Sequence, residues 1–225
     1  MNSNVDNSGM SGVMVWINAL EERLTQPLPG ERAHAAFRAV PDEVARNRYR
    51  HEGAPRPGSV LVLFFESGGE IYFPLILRSP YPGAHGGQVS FPGGKNEKDE
   101  DSIITALRET HEEIGVDSKG IRVLGSLTQY HIIPSHMLVQ PVVGWMDNIP
   151  AFQPDQREVA KILQVSLTDL MEPESVGRTV VKAGEFSWEA PCFFLSGEVV
   201  WGATAMILNE LKHVIAECHP HFRLP

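Results

Sequence analysis

The stretch Gly93-Gly94-Lys95-Asn96-Glu97-Lys98-Asp99-Glu100-Asp101-Ser102-Ile103-Ile104-Thr105-Ala106-Leu107-Arg108-Glu109-Thr110-His111-Glu112-Glu113-Ile114-Gly115-Val116 decides the reading of this chain. The glycine pair after Phe91-Pro92 is a turn leaving a short strand. Gly115 suits a helix stop. Between them the sequence predicts one helix, roughly 101 to 114, with Asp99 or Asp101 as its cap and acids at the positive end of its dipole. At about 100° per residue, Ile103, Ile104, Leu107 and Ile114 gather on one side, which is expected to be buried. Glu109, Glu112 and Glu113 gather on the other. Like charges three and four residues apart destabilise a helix, and Arg108 is the only cation available to relieve them. A solvated acidic face is one reading. The other is a seat for a hard divalent cation, which prefers oxygen ligands.

The spacing of the whole stretch adds to this. Gly94, Glu100, Arg108-Glu109, Glu112-Glu113, Gly115 and the apolar Val116 stand where the Nudix box has its fixed positions, and the chain resembles the Nudix hydrolases. Thr110 departs from the usual aliphatic residue, with a methyl that can still pack. The resemblance implies an α/β/α sandwich around a mixed sheet. It also implies Mg²⁺- or Mn²⁺-assisted hydrolysis of a nucleoside diphosphate linked to another group. Glu109, Glu112 and Glu113 would hold the metal, and the resemblance adds the Gly94 carbonyl. By the same resemblance Arg108 and Glu100 brace loop and helix. Glu158, just before a later strand, resembles a position that supplies an extra metal ligand or a base in some Nudix enzymes; an ion pair with Arg157 or another neighbour is the plainer alternative. Glu112 and Glu158 are both candidates for the catalytic base.

Upstream, Arg78-Ser79-Pro80-Tyr81-Pro82-Gly83-Ala84-His85-Gly86-Gly87-Gln88-Val89-Ser90-Phe91-Pro92 reads as a shaped loop rather than a strand. A cation there could hold a phosphate, so Arg78, His85 and Gln88 are candidate substrate contacts. Leu75-Ile76-Leu77-Arg78-Ser79 and Gly87 through Gly94 resemble the signature of a coenzyme A pyrophosphatase subfamily. That resemblance implies 3′,5′-ADP and (acyl-)4′-phosphopantetheine as products. The signature's second arginine is missing, with Gly83 in its place. A Nudix enzyme for ADP-ribose or a nucleotide sugar, or an inactive nucleotide-sensing Nudix module, are the rival readings.

The 225 residues suffice for one sizeable core. With 42% apolar and 21% charged residues the composition is that of a soluble globular protein. A formal net charge of −9 disfavours grip on a long nucleic-acid backbone but allows a small anionic nucleotide substrate. Cys192 and Cys218 set no zinc spacing and suit a reducing, cytoplasmic setting. No apolar run is long enough for a bilayer, Met14 to Leu20 lacks the basic flank of a signal peptide, and Phe222 to Pro225 is no peroxisomal address. Oligomeric state is unspecified, and a homodimer is compatible with the chain.

Residues 1–11, rich in Asn, Ser and Gly, are expected to be disordered. Residues 12–225 are expected to form a single Nudix domain with an N-terminal helical extension. Val13, Trp16, Ile17, Leu20 and Leu24 make a helical stripe. Residues 31–57 read as irregular, with a turn of helix near 41–46. Strands are expected at Ser59–Phe65, Glu70–Leu77, Ile121–Tyr130, Met137–Met146 and Ala160–Val165, and a hairpin at Thr179–Lys182 and Phe186–Phe194. Pro141 suggests that its strand lies at an edge or carries a bulge. A helix is expected after Trp201-Gly202. His131 and His136 read as turn residues rather than a metal pair.

Overall fold

The computed structural model describes residues 12–39, 42–80, 85–183 and 186–218. The N-terminal stretch 1–11, Gly83, the hairpin turn at Gly184-Glu185 and the last residues 219–225 lie outside the described residues. Three helices come first: α1 (Gly12–Leu24), α2 (Glu31–Ala35) and α3 (Asp42–Arg48). β1 (Arg56–Ser67), β2 (Glu70–Arg78), β3 (Val89–Ser90) and β4 (Gly93–Lys95) lead to α4 (Ser102–Ile114). β5 (Ile121–Ser126), β6 (Tyr130–Ile132), β7 (Met137–Met146) and β8 (Val159–Ser166) follow, then the short α5 (Leu167–Met171). β9 (Val176–Ala183), β10 (Phe186–Leu195), β11 (Glu198–Trp201) and α6 (Gly202–Cys218) complete the described chain.

The larger sheet runs β3-β2-β1-β7-β5, with β4 on β1, β6 on β7 and β8 on β2. β1 and β7 are parallel and the other pairs antiparallel, so the sheet is mixed. Successive residues of a strand face opposite sides, and β1 uses this to feed two cores. Leu61 and Leu63 pack with Ile76, Val142, Ala106 and Ile114 beneath α4. Val62 and Phe64 pack on the other side with Trp16, Ile17 and Leu20 of α1 and Leu208, Leu211 and Ile215 of α6. The result is the expected α/β/α arrangement. The second sheet, β11-β10-β9, adds Phe193, Leu195 and Val200 to the α1/α6 core. Among the described residues no helix is long and apolar enough to cross a membrane.

Four expectations need correction. Ile103 and Ile104 are not on the buried side of α4; they are 41% and 52% exposed. The face laid on the sheet is Ala106, Thr110, Glu113 and Ile114, with Thr105 beside it. Its small side chains let the helix sit close to β1, and that approach buries Glu113. The segment 31–57 is more regular than expected: the turn of helix near 41–46 is α3, and α2, which was not expected, precedes it. A helix as short as α2 presents no periodic stripe to read. Val89-Ser90, expected within a loop, forms β3 against Leu77 and Ile76.

The fourth concerns Pro141. Its strand β7 is interior, between β1 and β5. The irregularity lies in its partner: the expected Ile121–Tyr130 strand breaks into β5 and β6, and the β5 register shifts between Val123 and Gly125. At the break the Leu127 amide donates to the Pro141 carbonyl at 2.9 Å. The return bond, which proline cannot donate, comes from the Gln140 side chain to the Leu127 carbonyl at 2.6 Å.

Candidate active site

Asp101 caps α4 by accepting from the Ile104 amide at 2.8 Å, and Gly115 closes it in the left-handed conformation. From this helix Arg108 reaches back over the loop. Its Nε and Nη2 donate to the two oxygens of Glu100 at 2.8 and 2.9 Å, and Nη2 donates to the Lys95 carbonyl at 3.2 Å. Nη1 donates to Glu109 and to Glu112, each at 2.9 Å. Glu100 also accepts from the Glu97 amide at 3.0 Å and the Thr105 hydroxyl at 2.8 Å. These donors, Arg108 foremost, hold the Glu100 carboxyl down to about 2, and the same contact raises the Arg108 guanidinium. Loop and helix are thereby locked together by an ion pair and its satellites. Nothing in the sequence marks Thr105, because a helical threonine carries no signal of the partner it will find.

Glu113 differs from its neighbours. It is 2% exposed, on the face of α4 that meets the sheet. Its Oε2 accepts from the Gly93 amide at 2.8 Å. Arg78, at the end of β2, brings Nη1 to 3.2 Å from Oε1 as an ion pair, yet Oε1 has no hydrogen-bond partner. Burial pushes the Glu113 carboxyl up to about 7; Arg78 and the Gly93 amide oppose the shift, and the charges of Glu109 and Glu158 add to it. Burial also raises Glu109, against Arg108 and with help from Glu112 and Glu158. Glu112 is the outermost of the three, its side chain 55% exposed. Gly94 lies against Glu109: a Cβ there would stand 2.5 Å from Oε2.

Glu158 is exposed just before β8, and its charge is felt by both Glu109 and Glu113. Its carbonyl accepts from the Ser79 amide at 2.8 Å, which fixes it beside Arg78. The Arg157 guanidinium is engaged by Asp155. His85 pairs with Gln88 inside the loop, Nδ1 to Oε1 at 3.3 Å, while the Arg78 amide and carbonyl bond to Gln88 and Gly87. The loop is therefore folded back on Arg78. His131 and His136 meet at 3.2 Å, with His51 stacked on His136, and they fasten the turn at 133–136 to the segment after α3.

Glu109, Glu112 and Glu113 offer only oxygens, the donors a hard divalent cation takes. In the arrangement described, no three acidic, histidine or cysteine side chains among the described residues converge on one point. Arg108 draws Glu109 and Glu112 one way while Arg78 and Gly93 hold Glu113 another. The unbonded, buried Glu113 Oε1 is the atom that a cation would satisfy, since an orphaned carboxylate oxygen is costly.

A pH dependence follows. A carboxyl raised from 4.5 to about 7 binds its proton more tightly in the folded than in the unfolded chain. The metal-free protein should therefore lose stability as pH rises through that window, and a divalent cation should bind more weakly below it because proton and metal compete. Thermal unfolding at several pH values, with EDTA and with Mg²⁺, checks both; a metal-induced stabilisation equal across the window would remove Glu113 from the metal site.

Residues 55–182 match the NUDIX domain model. The chain is 34% identical over 178 residues to the mitochondrial coenzyme A diphosphatase NUDT8 of Mus musculus, covering 77% of this chain and 84% of that protein. It is 29% identical over 184 residues to the peroxisomal coenzyme A diphosphatase NUDT7 of Mus musculus, covering 79% and 77%. Among solved structures it is similar to the Nudix hydrolase RenU of M. smegmatis, with a TM-score of 0.52 and 18% identity over 77% of this chain and 92% of that one. Nudix hydrolases work with divalent metals, and the oxygen-lined, partly buried carboxylates of α4 suit that chemistry. The chain belongs to the Nudix family and is a pyrophosphohydrolase, an enzyme that hydrolyses phosphoanhydride bonds.

Proposed function

We propose that the chain cleaves the diphosphate of coenzyme A or acyl-CoA, giving 3′,5′-ADP and (acyl-)4′-phosphopantetheine, with Mg²⁺ or Mn²⁺ and in the cytoplasm. The observation that carries the reading is the place of Arg78. It pairs with Glu113, at the foot of the loop that contains Gly87 through Gly94, so the coenzyme A-type segment lies against a carboxylate of α4, which supports the reading. The two relatives named as coenzyme A diphosphatases support the same substrate.

Bound by Glu109, Glu112, Glu113 and the Gly94 carbonyl, the cation would neutralise the diphosphate and lower the pKa of a water. The chain's own groups do the rest. Glu112 or Glu158 takes the proton from the attacking water, and water adds to one phosphorus as the other phosphate leaves. Arg108 keeps α4 and the Gly94 loop in register through Glu100, and a guanidinium at Arg78 is suited to a phosphate oxygen. Positioning and electrostatics account for most of the acceleration in such a transfer.

Hydrolysis of coenzyme A, dephospho-coenzyme A, ADP-ribose and dinucleoside polyphosphates should be compared with each metal. Coenzyme A should give the highest kcat/KM, and loss of the 3′-phosphate should lower it about 10–100-fold, the weight of one charge-assisted hydrogen bond. Equal rates with and without that phosphate would overturn the coenzyme A reading. Preference for ADP-ribose is the second reading, favoured by Gly83 where the subfamily signature has arginine.

A further inference from the structure

The side of the sheet opposite the carboxylates carries a groove that the hydrolytic reaction does not use. α4 packs on the face of β1 that bears Leu61 and Leu63, whereas α1 and α6 cover the face that bears Val62 and Phe64. Where α1 and α6 both near their C-terminal ends, a groove of about 450 Å³ opens between them and the start of α2. Its lining includes Arg23, Pro27, Leu28, Pro29, Arg32 and Glu217.

Arg23, in the last turn of α1, is only 9% exposed. Its Nε donates to Glu217 at 2.6 Å. Its Nη1 is buried and has no hydrogen-bond partner. A charged donor shut away from water without an acceptor is costly, and an oxygen brought to it removes that cost. Glu217 is the one carboxylate lining the groove among the described residues, and its side chain is 53% exposed. Nothing packs it in place, so it can turn outward and yield its position on Arg23. Arg32 is exposed, and no ion pair holds its side chain among the described residues. Arg32 and Glu217 both act on the His213 imidazole of α6, which places their charges close together. Two guanidiniums against one carboxylate leave a local positive surplus, in a chain whose formal net charge is −9.

We propose that this groove binds a small organic oxyanion, a phosphate monoester or a carboxylate, whose head group replaces Glu217 on Arg23, supplies the acceptor that Nη1 lacks, and is shared with Arg32. A guanidinium fork matches either head group, because its N–H bonds lie in one plane and point at paired oxygens. Pro27, Leu28 and Pro29 offer apolar surface to the body of the ligand, and the prolines bring no competing backbone donor. The volume lies within the range of small-molecule sites, about 300–1,000 Å³.

The test uses the full chain in EDTA, so that no metal draws anions to α4. Phenyl phosphate and, separately, benzoate are titrated while the Arg23 Nε–H resonance is followed by ¹H–¹⁵N correlation. The two probes share an apolar ring and differ in the head group. Saturable movement of the Arg23 resonance with either probe is the expected result. Affinity should fall about tenfold in Arg32→Gln, the weight of one charge-assisted hydrogen bond. It should rise in Glu217→Gln, because the competing carboxylate is gone. Both residues are exposed, so neither change disturbs the core. Movement with phenyl phosphate alone assigns the groove to phosphate monoesters, and movement with benzoate alone assigns it to carboxylates. An Arg23 resonance that neither probe moves overturns the proposal, as does Arg32→Gln binding as tightly as the wild type or Glu217→Gln binding more weakly.

Discussion

Glu112→Gln should lower kcat by about 10²–10⁴-fold, the range for loss of a positioned acid–base group, with the melting temperature almost unchanged. The split follows from where Glu112 stands. Its side chain is more than half exposed, and its contact in the protein is Arg108 Nη1 at 2.9 Å. Arg108 keeps Glu100 and Glu109 when that contact goes, so the brace survives. An exposed i,i+4 pair contributes only about 0.3–0.5 kcal/mol, and removing one of three crowded acids offsets even that. Glu158→Gln is the necessary companion. Its charge bears on Glu109 and Glu113, so both substitutions should weaken activity, but only loss of the base should flatten the acidic limb of the kcat profile. A fall in melting temperature that parallels the fall in rate for Glu112→Gln would make it a structural residue.

How far the sequence carries depends on what each residue's signal encodes. The box spacing located α4 and its caps, because a capping Asp and a left-handed Gly act locally. The isoleucines, in contrast, point to the wrong face of α4. Ile103 and Ile104 are apolar but exposed, while Ala106 and Thr110 are buried and small enough to let the helix approach β1. Close approach is a property of two surfaces, and hydrophobicity reports only one. The burial of Glu113 follows from the same geometry, as does its pairing with Arg78, which the sequence places 35 residues away. Gln140 completing the ladder for Pro141, and Glu210 gathering four donors from two segments, α2 with its cap and the loop at Thr128, are equally tertiary events.

Two adjacent glycines should fail in opposite ways, and the contrast separates fold from site. Gly93 has φ 153, and a Cβ there would stand 2.6 Å from the Val60 Cα and also strike the Ser59 carbonyl. Both obstacles are backbone of β1, the central strand, and cannot swing aside. Gly93→Ala should therefore destabilise the protein by about 2–5 kcal/mol, strain and overpacking together, and pull the amide away from Glu113. Gly94 has no such conformation. The atoms nearest its Cβ would be the carboxylate end of Glu109, a flexible tip that can rotate. Gly94→Ala should fold with nearly the wild-type melting temperature and still lose about 10²-fold in kcat/KM, because a displacement near 1 Å of a positioned group costs that much. Raising the metal concentration should recover part of the Gly94→Ala loss if Glu109 holds the cation, whereas no amount of metal should restore Gly93→Ala above its unfolding temperature. A fully active Gly94→Ala would mean that Glu109 takes no part in catalysis, since the group nearest the new methyl is its carboxylate.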